Sequence, residues 1–240
     1  ASAYARTIDF AQFAAIAKKV DALLMADIAH IAGLVATGNH PTPAGYADVI
    51  TSTTHKTLRG PRGAFIISRT ALAPKIDRSV MPGTQGGPFM HAIAARAVAF
   101  QNAAEAPFAD YIANVMACTS ELAHQMSTRG YHVVSGGTDN HLFLIDLSRS
   151  TAIEMSGKEA EAKLAEVGII LNRNTIPGDT RGPLTTSGLR IGLPAMATRG
   201  MKPADMAPLA ELIDTVLRNT AGDDVAERVA AFAGKFVVPK

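Results

Sequence analysis

Apolar residues recur at helical spacing between Asp9 and Asp21 (Phe10, Phe13, Ile16, Ala17, Val20). That spacing predicts an amphipathic helix, followed by a short buried strand over Leu23 to Ala26. Two further short apolar runs, Ala47 to Thr51 and Ala64 to Ser68, read as buried strands, so this half predicts a layered α/β domain. His91 to Glu105 and Pro107 to Arg129 are alanine-rich and predict long helices. The second opens on proline and closes at Gly130, where a left-handed cap is easy. Beyond it, Tyr131 to Ser135 and His141 to Leu147 predict strands, the second with the alternation of a half-covered sheet. Ser156 and Glu159 form a capping box for a helix ending near Gly168. Strands over Ile169 to Asn172 and Leu189 to Leu193, separated by a Gly/Pro-rich loop, and helices over Ala204 to Asn219 and Asp223 to Phe232 complete a smaller α+β unit. The expected boundary lies near residue 115, giving domains 1–115 and 116–240.

With 240 residues, 48% of them hydrophobic, the chain is long enough to bury one large core or two smaller ones. A net charge of +2, with the two signs interspersed, offers no basic face for nucleic acid. Small anionic ligands suit it better. No apolar run reaches the roughly 18 residues of a membrane span, so no membrane partner is expected. The single Cys118 excludes a disulfide framework within the chain and fits a reducing, cytoplasmic compartment. The opening Ala1-Ser2-Ala3-Tyr4 has no initiator methionine and reads as the interior of a longer polypeptide.

The candidate chemistry sits at strand ends. The run Thr53-Thr54-His55-Lys56-Thr57-Leu58-Arg59 delivers one lysine after a strand and before the turn Gly60-Pro61-Arg62-Gly63. Asp27 and His30 follow another apolar run. An aspartate at one strand end and a lysine at a later one are what pyridoxal phosphate needs: a carboxylate for the pyridinium nitrogen and an amine for the aldehyde. A Schiff-base lysine must offer a free amine, and His55, Arg59 and Arg62 stand beside Lys56 in the sequence. The bland alternatives are a solvated loop lysine, Asp27 as a helix N-cap and His30 as a core histidine. A metal site of Asp27, His30 and His55 is a weaker reading, because the histidines lack ligand spacing. Arg190, on a strand after Gly188, suits a carboxylate ligand bidentately or a structural ion pair. The turn Pro82 to Pro88, with Gly86 and Gly87, offers backbone N–H groups to a phosphate, or is simply a loop.

Taken together, the segments Asp27 to Leu34, Tyr46 to Val49, Thr53 to Gly63, Gln85 to Pro88, Thr138 to Leu142 and Thr186 to Arg190 resemble serine hydroxymethyltransferase, with order and spacing kept from Ser2 to about Leu217. The resemblance implies an α/β, fold-type I pyridoxal phosphate-dependent transferase, present here as the end of its large domain plus the small α+β C-terminal domain. It implies Lys56 as the Schiff-base lysine, Asp27 as partner of the pyridinium nitrogen, His30 near the cofactor's phenolic oxygen and the substrate hydroxyl, and Ser2 beside the cofactor, with Lys56, His55, His30 and Asp27 expected to be the catalytic set. It implies Arg190 as the ligand of the amino acid's carboxylate, and Gly86 and Gly87 as reaching the cofactor phosphate of a neighbouring subunit, hence at least a homodimer with shared sites. Asn174 and the segment Gly182, Pro183 and Leu184 match places that line the folate site. The implied reaction moves the hydroxymethyl group of L-serine to tetrahydrofolate, giving glycine and 5,10-methylenetetrahydrofolate.

Three positions depart from the usual pattern of the family: Ala64 where glycine is common, Leu193 where threonine is common, and Gly182 where serine is frequent. They leave open a relative acting on α-methylserine or on other β-hydroxy amino acids. The family's phosphate-binding loop, ring-stacking histidine and acidic proton donor match nothing in this chain, which also leaves a binding-only remnant open. For the same reason the isolated 240-residue chain is expected not to turn over serine.

Overall fold

The computed structural model describes residues 2–220 and 222–239. They form two compact units: Thr7–Ile112 with Ser2, and the described residues from Ala113 onward with Ala3–Arg6.

In the first unit, helix α1 (Phe10–Lys19) starts where the Asp9 side chain accepts the Gln12 amide, and ends on Lys18 and Lys19, which favour the negative helix terminus. Its apolar stripe forms as the spacing predicts. Only Phe10 is buried, however; Phe13, Ile16 and Val20 are 54%, 58% and 70% exposed, because among the described residues of this unit nothing packs on that face. Strand β1 (Met25–Asp27) leads into helix α2 (Ala32–Ala36), and β2 (Val49–Thr53) and β3 (Ala64–Ser68) complete a three-stranded sheet of order β1-β2-β3. β1 and β2 are parallel, with Asp27 opposite Thr51; β2 and β3 are antiparallel, with Thr53 opposite Ala64. β2 begins two residues later than its apolar run suggests. The Tyr46 and Ala47 amides bond back to the Pro43 carbonyl and are still in a turn, whereas the hydroxyl residues Ser52 and Thr53 continue the pairing with β3. Ile28, Ile31, Leu34, Ile50, Leu58, Phe108 and Ile112 are among this unit's buried side chains. Helices α3 (Ala73–Arg78) and α4 (Met90–Ala103) follow, and no residue of either is fully buried.

Helix α5 (Ala106–Thr128) contains the division between the units. Gly130, at φ +90°, takes the left-handed conformation expected after it. In the second unit the strands β4 (His132–Val133) and β5 (Leu142–Asp146) precede helix α6 (Gly157–Glu166), then β6 (Asn172–Asn174), β7 (Gly188–Gly192) and helices α7 (Pro194–Thr198), α8 (Met206–Leu217) and α9 (Val225–Ala233). The sheet is antiparallel with order β4-β5-β7-β6. Against the expected alternation, all of β5 is buried, so both of its faces are covered. Phe143 and Ile145 join the core formed by Leu122, Met126, Leu164, Leu189 and Met206. Asp146, the polar exception, is satisfied by the Ser148 hydroxyl (2.6 Å) and amide (2.9 Å). The capping box of α6 is present, with Ser156 and Glu159 exchanging bonds. β6 falls two to three residues after the expected Ile169 to Asn172, because Gly168 (φ +88°) and the Ile169 amide, bonded to the Leu164 carbonyl at 2.9 Å, still belong to the helix exit. No helix among the described residues is long and apolar enough to cross a membrane.

Candidate active site

The parallel pairing of β1 and β2 puts Asp27 at the carboxyl end of one strand and the turn carrying Lys56 just beyond that of its neighbour, the usual place for ligands in an open α/β sheet. Asp27 is exposed at the last position of β1. One carboxylate oxygen accepts the Ala29 amide at 2.9 Å, which makes a local Asx turn. It does not cap α2, whose N-cap position is Ile31. His30 sits in the turn closed by the bond from the Ile31 amide to the Ile28 carbonyl.

The segment after β2 is a tightly bonded loop. Thr54, fully buried, accepts the Gly60 amide on its carbonyl (2.7 Å) and donates its hydroxyl to the Pro61 carbonyl (2.6 Å). Lys56 is half-buried at the bend, and its carbonyl accepts the Arg59 amide at 3.0 Å. Arg59 adopts φ +55°, unusual for a residue with a side chain, and its guanidinium carbon lies 3.8 Å from the centre of the Tyr111 ring. That stacking fixes the bend against α5. His55 is half-buried; Arg62 Nη1 lies 3.3 Å from its Nε2, while its buried Nδ1 has no hydrogen-bond partner among the described residues. His55, Arg62, Gln85, Gly86 and Gly87 line one groove of about 1290 Å³. Both glycines are exposed, and a Cβ at either would meet nothing within 4 Å. Ser2 is exposed in the same unit. An amine at one strand end, a carboxylate at the next and an imidazole with an open buried nitrogen are a donor set that fits pyridoxal phosphate.

The remaining candidates belong to the second unit. Arg190 is half-buried on β7, opposite Leu144 on one side and Asn172 on the other, and its Nη2 donates to Asn172 Oδ1 at 3.1 Å. Asn174 lies opposite Gly188 on β6 and bonds to the Thr175 carbonyl. Gly182, Pro183 and Leu184 are exposed, with Leu184 at 77%. Leu193 is 2% exposed and part of this unit's apolar core. Ala64, in the first unit, offers its carbonyl to Arg96.

Sequence reasoning missed the side chains that hold these loops. Thr57 and Arg59 are two; Asp179 is a third. Its carboxylate accepts the Ser187 hydroxyl (2.6 Å), the Ser187 amide (2.9 Å) and the Arg181 amide (3.0 Å), closing the loop that carries Gly182 to Leu184 onto the start of β7. A Gly-Asp pair in a Gly/Pro-rich stretch was the available signal. Burial works to raise the Asp179 carboxyl, but the bonds from Ser187, Arg181 and Ile176 outweigh it and hold it at about 2, below the ordinary 3.8. A depressed folded value means that this stabilisation is complete above about pH 4 and is lost as pH falls through the folded value. Asp179→Asn is therefore expected to be less stable than the parent at neutral pH, with the gap narrowing in acid. Urea unfolding across pH checks this; a gap that does not change with pH contradicts it.

A family model described as serine hydroxymethyltransferase matches residues 1–213. The chain is 52% identical over 240 residues to a serine hydroxymethyltransferase of a Nostoc species, an alignment covering 98% of this chain and 56% of that protein. It is 55% identical over 218 residues to a probable serine hydroxymethyltransferase of Mesomycoplasma hyopneumoniae, covering 90% of this chain and 52% of the relative. The chain thus spans about half the length of the curated relatives it matches. The α/β class read from the sequence agrees with these matches, and identity at this level over nine-tenths or more of its residues shows that the chain belongs to the serine hydroxymethyltransferase family.

Proposed function

We propose that the full-length protein containing this chain transfers the hydroxymethyl group of L-serine to tetrahydrofolate, giving glycine and 5,10-methylenetetrahydrofolate, with pyridoxal 5'-phosphate as cofactor. The observation that carries this reading is the placement of Asp27 and the Lys56 turn at the carboxyl ends of two adjacent parallel strands, in a chain of this family. When bound, pyridoxal phosphate supplies an electron sink for the pair left at the amino acid's α-carbon. Lys56 holds the cofactor covalently through its amine. The Asp27 carboxylate holds the proton on the ring nitrogen, which keeps the ring electron-poor. His30 would serve the phenolic oxygen and the substrate hydroxyl, Ser2 would help to hold the cofactor, and His55 would act with Lys56, His30 and Asp27 in the chemistry. The amides of Gly86 and Gly87 meet the phosphate of a neighbouring subunit's cofactor, so the working form is a homo-oligomer, at least a dimer. Their exposure leaves them open to such a contact.

Arg190 binds the serine carboxylate through its planar fork, and Asn174 with Gly182, Pro183 and Leu184 borders tetrahydrofolate. In this reading residues 1–115 finish the cofactor-binding large domain and 116–240 form the small domain. A cytoplasmic setting fits the chain's single cysteine, Cys118.

Glycine formation from serine by the full-length protein, measured with and without tetrahydrofolate, tests the proposal. Strong folate dependence is expected; serine cleavage indifferent to folate, or none at saturating pyridoxal phosphate, contradicts it. Arg190→Lys should weaken serine binding by about 2 kcal/mol, since an ammonium cannot reproduce the bidentate fork, with cofactor binding kept. Unchanged serine affinity in a spectroscopic titration would assign Arg190 to a structural role instead.

A further inference from the structure

Thr57 follows Lys56 directly but points away from solvent: it is 1% exposed. Its hydroxyl donates to the His30 carbonyl at 3.0 Å and accepts the Gly33 amide at 3.0 Å. One side chain thereby satisfies a donor and an acceptor of the segment that follows Asp27, neither of them paired with Thr57 through any sheet ladder. The contact is close-packed as well as polar. A Cβ on Gly33 would lie 2.8 Å from the Thr57 carbonyl oxygen and 3.0 Å from Ile112 Cδ1, so only glycine lets the two backbones approach this far. The other end of the Lys56 bend is held by Thr54 and by Arg59 stacked on Tyr111. Lys56 therefore sits in a clamped bend that the Thr57 hydroxyl ties to the segment following Asp27, at the His30 carbonyl and the Gly33 amide.

We infer that Thr57 is a positioning residue: its hydroxyl sets the placement of the Lys56 amine relative to Asp27 and His30, and so the affinity and protonation of a cofactor held between them. This rests on the assignment of Lys56 and Asp27 proposed above. Thr57→Val keeps the shape and deletes the hydroxyl, leaving the Gly33 amide and His30 carbonyl without it in a buried place, whereas Thr57→Ser keeps the bridge.

The test uses the full-length protein and pyridoxal phosphate itself. Equilibrium titration of the bound cofactor's visible absorbance should show about tenfold or greater loss of affinity in Thr57→Val. The pH at which that band titrates should also move. Thr57→Ser should stay within about twofold of the parent on both readouts. A Thr57→Val protein that loses thermal stability yet keeps cofactor affinity and the spectral titration unchanged would overturn the inference and leave Thr57 a structural residue. Hydrogen exchange of the unmutated protein gives a second reading that does not depend on the variants folding: on adding pyridoxal phosphate, peptides spanning residues 28–34 and 54–60 should gain protection together. Protection of one segment alone would also overturn it. Failure of the underlying assignment is separable, because it would appear as covalent capture of the cofactor persisting in Lys56→Ala.

Discussion

In the full-length protein, Lys56→Ala should lower folate-dependent glycine formation by on the order of 10³-fold or more and abolish borohydride-reducible attachment of pyridoxal phosphate. The size of the loss follows from what the amine does. In the proposed role it is the covalent anchor, and it sits in a bend held by Thr54, Thr57 and Arg59 that offers no other amine. Folding should be little affected, because Lys56 is half-buried and makes none of the side-chain bonds that close the loop. The loss should therefore appear in kcat with the melting temperature nearly kept. Activity within about tenfold of the parent would remove Lys56 from the chemistry.

Gly157→Ala should destabilise the second unit by about 3 kcal/mol or more. The first residue of α6 packs so closely on the approach to β7 that a Cβ would lie 2.3 Å from Thr186 Oγ1 and 2.5 Å from the Gly188 carbonyl oxygen. The second of these is backbone in a strand paired on both sides, so relief requires moving either the helix or β7. Thr186 has little freedom to yield, being buried at φ +53°. β7 carries Arg190, so under the carboxylate-binding role proposed for that residue serine affinity should fall along with stability. Urea unfolding of parent and variant measures the first effect, and a loss below about 1 kcal/mol would mean that the helix end slides at little cost.

Local signals made much of this fold readable. The Ser156–Glu159 box and Gly130 mark helix ends through groups a few residues apart, and both are found where the sequence places them. β3 matches its apolar run, Ala64–Ser68. What escaped depends on partners distant in sequence. The burial of both faces of β5 depends on elements distant in sequence, and the residues along one strand carry no record of that. The stripe of α1 is legible as a helix face, but nothing local says whether this unit covers it. The candidate site divides in the same way. Asp27 stood out because it closes an apolar run and Lys56 because it lies between a strand and a Gly/Pro turn, and resemblance to a family supplied their expected roles. Thr57 and Asp179 did not stand out, because a threonine or an aspartate in a loop is ordinary until the groups it bonds, from His30 to Ser187, are brought to it by the fold.

The most direct measurement is peptide mapping of the full-length protein after loading with pyridoxal phosphate and reduction with borohydride. The phosphopyridoxyl group should be found on Lys56, at close to one per chain, and Asp27→Ala should weaken its loading without moving it to another residue. Finding the group on a different lysine, or finding no specific attachment in folded protein, would contradict the account.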